Sequence, residues 1–281
     1  MRHARAGLTL VEVLVVIAVT GVLVGLTAAA VQRVRAVAAR AACGNNLRQA
    51  ALAVHSFAAT GGPLPRGCDT PKAADREDAK RYAGLSWQAA VLPHLGEEAT
   101  GAAAAAAFAE NPRGDNWVLH NPVGMRAITV LRCPTEVLAL NTHNGYGLTS
   151  YLGVAGTAVL REDGVMHRWL TVRLSDIVDG TSGTLMIGER PAVRHGGESE
   201  WYGNWGSTCC GAAQLLPAGL YARDVNYAVR CNLNTKSFAP GNPDDLCSLG
   251  HFWSRHPGGA NFAFCDGSVR FLPYSDRKSV V

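Results

Sequence analysis

Between Gly7 and Val31 the chain reads GLTLVEVLVVIAVTGVLVGLTAAAV, about two dozen residues whose only charge is Glu12. About 20 helical residues cross the hydrocarbon core of a bilayer, so this run is long and apolar enough to span one. A charge in lipid is costly, which makes Glu12 a functional residue by default. The run begins abruptly after a short leader in which Arg2, His3 and Arg5 supply the charge. Whatever else the chain folds into must hang from this segment.

No proline occurs from Leu8 to about Thr60, and residues 32–59 are rich in Ala, Leu, Arg and Gln, all good helix formers. Leu47, Ala50, Ala51, Val54, Phe57 and Ala58 recur at the 3.6-residue period and predict one apolar face, with Leu52 off it. One continuous helix to about Thr60 follows, roughly 75–80 Å long at 1.5 Å per residue. Its first half is apolar all round and its second half amphipathic, suited to docking on a globular domain. Gly61-Gly62-Pro63 supplies the stop.

The remainder, residues 61–281, changes character. Short segments with β-branched or aromatic content, bounded by Gly, Asp or Asn, predict strands at Ile128–Cys133, Ser150–Val154, Thr157–Arg161, Trp169–Leu174, Thr184–Glu189, Asn261–Cys265 and Ser268–Leu272. Asp266-Gly267 suits a type I′ turn between the last two. Leu85–Leu95 reads as a short helix, and the alanine run within residues 97–110 as a short surface helix. Residues 191–250, with Gly, Pro, Trp and four cysteines, read as a disulfide-tied loop region.

Eight cysteines beyond a membrane-targeting segment favour an oxidising compartment and disulfides. None forms a CxxC, so zinc-ribbon spacing is absent. Connectivity is not readable among 105 possible pairings. The adjacent Cys209 and Cys210 are expected to take different partners, with Cys231 and Cys247 the nearest candidates. A net charge of +4, without a basic stripe interleaved with aromatics, gives no case for nucleic acid.

The residues support a family reading. GLTLVE at Gly7–Glu12, after a basic leader and before an apolar run, resembles the processing site of type IV prepilins and type II secretion pseudopilins. The resemblance implies that a prepilin peptidase cuts between Gly7 and Leu8 and methylates the new amine of Leu8. It also implies that Glu12, fifth in the mature chain, pairs with the terminal amine of a neighbouring subunit. Leu8 stands where phenylalanine is commoner. The rest of the chain resembles a large pilin-like bacterial subgroup with a His-x9-Asp-Gly signature and a domain of no established function. The matching pieces include CGNNLRQ with Asn45 and Asn46, Cys133-Pro134, DIVDGTSGTLMIGE with Asp179 and Gly180, and SRHPGGANFAFCDGSV with His256, Asp266 and Gly267. Gly183 stands where the subgroup usually carries asparagine.

The fold implied is α+β: a long N-terminal helix packed on a C-terminal antiparallel sheet. The division implied is a leader over 1–7, a membrane and assembly helix over 8–31, its amphipathic continuation over 32–60 and a globular domain over 61–281. The expected partners are the inner membrane, a prepilin peptidase and like or related pilin subunits, with the domain extracytoplasmic. Arginines on both sides of the span leave the positive-inside rule undecided, so the orientation rests on the resemblance. Gly21 and Gly25 form a GxxxG that allows close helix packing. Ala28-Ala29-Ala30 keeps open a cleaved secretory signal.

No catalytic group, metal ligand or cofactor is assigned. His256 and Asp266 could meet as a metal or acid–base pair, but a turn role for Asp266 and a backbone bond for His256 explain them better. Asp179-Gly180 reads as a turn, and Asp244-Asp245 beside Asn242 lacks EF-hand spacing. Trp201, Tyr202, Trp205 and Trp253 suit core packing; exposed, they would suit a cell-envelope polysaccharide. Two functions remain: a filament subunit, or a membrane-tethered binding module that uses the prepilin route only for export.

Overall fold

A computed structural model describes residues 9–60, 62–69, 85–111, 117–136, 145, 147–156, 163–166, 171–193, 202, 215–216, 231 and 238–276. Helix α1 runs from Leu10 to Ala59 without a break, as the proline-free sequence requires. At its end the Gly62 N–H donates to the Ala58 carbonyl, and the Thr60 N–H donates to Phe57. The chain divides into two compact units, Met1–Ala41 and Ala42–Val281.

In the first unit the described residues up to Ala38 are all exposed. Leu10 is 75% exposed and Leu26 69%. The helix is long and apolar enough to cross a membrane. Its hydroxyls are satisfied internally: Thr20 donates to the Val16 carbonyl and Thr27 to that of Leu23. A lipid-facing helix must do this, because hydrocarbon offers no partner.

In the second unit, a five-stranded sheet takes the order β5-β3-β4-β6-β7, with β3 at Tyr151–Val154, β4 at Leu185–Glu189, β5 at Leu215–Leu216, β6 at Gly259–Phe264 and β7 at Val269–Pro273. Four strands are antiparallel neighbours; β5 adds to the β3 edge in parallel. A bulge at Met186 shifts the β4–β6 register, so Leu185 pairs with Phe264 while Ile187 pairs with Ala263. A separate two-residue pair joins β1, Cys68–Asp69, to β2, Leu85–Ser86.

Alternation along the strands sorts the side chains onto two faces. Tyr151, Ile187 and Ala263 join Cys43, Leu47, Ala50, Ala51 and Val54 of α1 in one core. Leu152, Phe262 and Phe264 join Phe238, Phe252 and Leu272 in a second core on the far face. Because both faces are covered, every residue of β6 is buried. The helical face read from periodicity is the one that packs, and Leu52 is 54% exposed.

A third core is helical. Helix α2, Trp87–Val91, starts on a Ser86 cap whose hydroxyl accepts the Ala89 N–H, and a 3-10 turn follows over Leu92–Leu95. Helix α3, Glu98–Glu110, and helix α4, Trp117–Gly124, complete it. Leu92, Ala104, Phe108, Val123, Leu131 and Tyr202 pack together there. The alanine run is therefore not merely a surface helix. At Gly101 an added Cβ would lie 2.9 Å from Pro93 Cδ, so glycine is what lets α3 approach this closely there.

Several expectations need correction. Ile128–Cys133 is not a strand: Thr129–Leu131 is a 3-10 turn. The Leu131 carbonyl accepts from the Ser150 N–H and the Thr149 hydroxyl, which takes the place of a ladder. Of Trp169–Leu174, the described part has no strand, and Leu174–Asp176 is another 3-10 turn. The hairpin at Asp266-Gly267 is not a two-residue type I′ turn. Its loop is Cys265-Asp266-Gly267, closed by Gly267 N–H to Phe264 O and Phe264 N–H to Ser268 O, with Gly267 at φ +81°. That is the three-residue loop ending on a left-handed glycine. Thr157–Arg161, Cys209 and Cys210 lie outside the described residues. Cys231 and Cys247 bond to each other, so neither is a partner for Cys209 or Cys210.

Candidate functional site: the helix N-terminus and a buried cysteine, glutamate and histidine cluster

Gly7 and Leu8 lie outside the described residues. Just beyond them, Thr9 and Glu12 form a reciprocal cap. The Thr9 N–H and hydroxyl donate to Glu12 Oε2 at 2.8 and 2.7 Å, and the Glu12 N–H points back to Thr9 Oγ1 at 3.3 Å. This is a capping box, spaced Thr-x-x-Glu, and it satisfies the opening donors of α1. The sequence carries this spacing as Thr9-Leu10-Val11-Glu12. Gly21 and Gly25 have nothing within 4 Å of an added Cβ. They form a small-residue stripe that meets no partner among the described residues.

The signature residues of the second unit separate into turns and a core. Asp179 and Gly180 make a surface turn, with Gly180 at φ +84°. Asp266 is exposed and accepts the Ser268 N–H at 2.9 Å. The hydrogen bonds from Ser268 hold its carboxyl below the usual aspartate range. Asn45 is exposed. Asn46, one residue on, donates from Nδ2 to the Arg132 carbonyl at 2.8 Å. One turn earlier on the same side of α1, Cys43 is bonded to Cys133. Helix α1 thus grips residues 132–133 twice.

His256 is buried and does not hydrogen-bond to Asp266 among the described contacts. Its Nε2 stands 3.6 Å from Glu189 Oε1 and 3.5 Å from Cys133 Sγ. Its backbone N–H donates to Ser254 Oγ, while the ring, expected on loop backbone, faces Glu189 and Cys133 instead. Glu189 is the partner that sequence reasoning missed. It ends β4 on the same face as Ile187, opposite Tyr151, and so points into the core against α1. Asn261, on the matching face of β6, fixes it: the Asn261 N–H donates to Oε2 at 2.7 Å and Nδ2 to Oε1 at 3.0 Å.

Cys43, Cys133, Glu189 and His256 are thus gathered from α1, the loop after the 3-10 turn, β4 and the loop before β6. Each is buried, and one N, O or S atom from each lies within 4.8 Å of all the others. The Tyr151 hydroxyl closes one side by donating to the Cys43 carbonyl at 3.1 Å. Burial, then the Glu189 charge, push that phenol well above its ordinary value.

The remaining candidates are structural. Asn242 Oδ1 accepts the Asp244 N–H, and Asp245 caps the 3-10 turn at Leu246–Gly250. His251 Nδ1 lies 3.2 Å from the Cys247 carbonyl. Tyr202 and Trp253 are both about 1% exposed, so neither offers a ring to a polysaccharide. Trp201 and Trp205 lie outside the described residues.

Comparison with known proteins gives two family matches. A model of the prokaryotic N-terminal methylation motif matches residues 2–28. A second family model, described as a protein of unknown function (DUF1559), matches residues 32–277. No curated protein and no solved structure matches the chain. With a methylation motif at its start and that second model covering the greater part of its length, the chain belongs to the DUF1559 family.

Proposed function

We propose that this chain is a non-enzymatic, pilin-like subunit, cut by a prepilin peptidase between Gly7 and Leu8 and built through its N-terminal helix into a pilus or secretion pseudopilus. The observation that carries this reading is the apolar first part of α1. Every described residue up to Ala38 is exposed, behind a motif for N-terminal methylation. A membrane hides such a surface before assembly, and neighbouring copies of the same helix hide it afterwards. Dispersion and close contact at small residues such as Gly21 and Gly25 would hold the helices together. Glu12 supports the reading in a second way. The Thr9 bonds engage Oε2, so Oε1 can take the methylated amine of a neighbour's Leu8 without dismantling the cap. A paired amine and carboxylate relieve the cost that either would carry alone in a dry helix bundle.

The inner membrane and related subunits are the partners in this reading, with the second unit outside the cytoplasm. The test is Glu12→Ala in the native host, read by mass spectrometry and by the content of sheared surface filaments. Processing to methyl-Leu8 should continue while incorporation into filaments falls by at least tenfold. A mature chain beginning near Val31 overturns the prepilin route. Undiminished incorporation of Glu12→Ala, or filaments that never contain the chain, points instead to a tethered module.

A further inference from the structure

Cys43, Cys133, Glu189 and His256 bring one sulfur, sulfur, oxygen and nitrogen atom within 4.8 Å of one another in the core. A direct hydrogen bond between an imidazole and a carboxylate would draw the two heavy atoms to about 2.7–2.9 Å. Here His256 Nε2 stands 3.6 Å from Glu189 Oε1 and 3.5 Å from Cys133 Sγ. Bonds of about 2.0 Å to nitrogen or oxygen and 2.3 Å to sulfur give a zinc tetrahedron whose edges are about 3.3–3.8 Å. That geometry gives about 3.5 Å for a nitrogen–sulfur edge and about 3.3 Å for a nitrogen–oxygen edge, so the His256–Cys133 edge is met and the His256–Glu189 edge is about 0.3 Å too long. The disulfide between Cys43 and Cys133 draws one other edge too short.

We propose that in the dithiol state this cluster is a closed structural site for a zinc-class divalent cation, with Cys43 Sγ, Cys133 Sγ, His256 Nε2 and Glu189 Oε1 as ligands. Metal and disulfide are then alternative cross-links between α1 and the loop at Cys133, and the metal also ties in Glu189 of β4. The chain is made with both thiols reduced, and the metal form is reached by binding before oxidation, or after a dithiol reductant donates two electrons and two protons to the disulfide. Binding the cation releases the two thiol protons. Two thiolates, one carboxylate and a neutral imidazole around a doubly charged ion leave one net negative charge. The two Asn261 donors to Glu189 stand where they can stabilise that charge. Four protein ligands and full burial leave no open coordination position, so the site fastens the fold and performs no hydrolysis.

The test uses the full chain in detergent micelles, reduced with a phosphine, equilibrated with zinc chloride and desalted. One zinc per chain should remain, and none in the oxidised protein. X-ray absorption of the zinc form should show two sulfur and two nitrogen or oxygen neighbours. This reading needs no variant, and an all-sulfur shell overturns the ligand assignment. Cys231→Ser/Cys247→Ser and Asp266→Asn should keep the zinc. Cys43→Ser and His256→Gln, checked for native circular dichroism, should lose it, and Asn261→Ala should weaken binding by about 10–100-fold through a loosened Glu189. Reduced wild-type protein that retains no zinc, or Cys43→Ser that retains it, overturns the proposal.

Discussion

Cys265 shows how much one buried group can report. It is fully buried at the hairpin loop and carries a free thiol. Burial, then the Asp266 charge, push the thiol from an ordinary 9.0 up to about 12. The thiolate is the reactive form, so native Cys265 should resist iodoacetamide at pH 8 and react once urea unfolds the domain. Mass mapping of the alkylated peptide checks this. The pH dependence follows from the same shift. The folded state holds the proton more tightly than the unfolded state, so this contribution to stability is complete below about pH 9 and is lost as pH rises toward 12. Asp266 works in the opposite sense. Its lowered value adds stability above the ordinary aspartate range, lost as pH falls through the folded value, and Asp266→Asn should flatten the acid limb of a stability-against-pH curve. Glu189 carries more weight. Glu189→Ala would leave the two buried Asn261 donors without their acceptor. Leaving a buried donor unpaired costs about 1–3 kcal/mol, and Glu189→Gln, which keeps an acceptor, should cost less in urea unfolding.

At the scale of elements, the amphipathic half of α1 offers a matched pair. Leu47 is fully buried against the sheet and Leu52, five residues on, is exposed. Leu47→Ala should destabilise the domain by about 2–5 kcal/mol, whereas Leu52→Ala should stay within about 0.5 kcal/mol. Urea midpoints of the two variants decide it. This contrast was legible in the sequence because helical period alone separates the two leucines. The strands β3, β4, β6 and β7 were legible for the same reason: short β-branched and aromatic runs between turn residues. Ile128–Cys133 had that composition too. It became a 3-10 turn because residues 149–150 satisfy its backbone, a tertiary fact that no local pattern carries. The same limit hid Glu189. Its alternation with Ile187 was visible, but only the pairing of β4 with β6 places it beside Asn261 and near His256. Asp266, ten residues from His256, looked the better partner along the chain. In space the hairpin loop holds it out in solvent.

For the molecule as a whole, the question is how far the second unit depends on the first. The boundary between units falls after Ala41, and the first fully buried helix residue is Cys43. From there to Ala58 the helix contributes Leu47, Ala50, Ala51 and Val54, with Phe57 and Ala58 at the margin, to the core it shares with the sheet. Cys43 and Asn46 add covalent and hydrogen-bonded ties to residues 132–133. The described residues before Ala39 contribute no buried side chain. A chain beginning at Arg33 should therefore be soluble without detergent, form the bond between Cys43 and Cys133, and melt within a few degrees of the full chain in micelles. Starting instead at Val54 removes Cys43, Asn46, Leu47, Ala50 and Ala51 together. Losing even one buried leucine costs several kcal/mol against a total stability of about 5–15 kcal/mol, so this shorter chain should not fold. Calorimetry and non-reducing peptide mapping of the two truncations check both outcomes. If the Arg33 chain aggregated or failed to form the bond, the apolar segment would be part of the fold. If it behaves as expected, the domain folds without that segment, whose exposed apolar surface is long enough to cross a membrane.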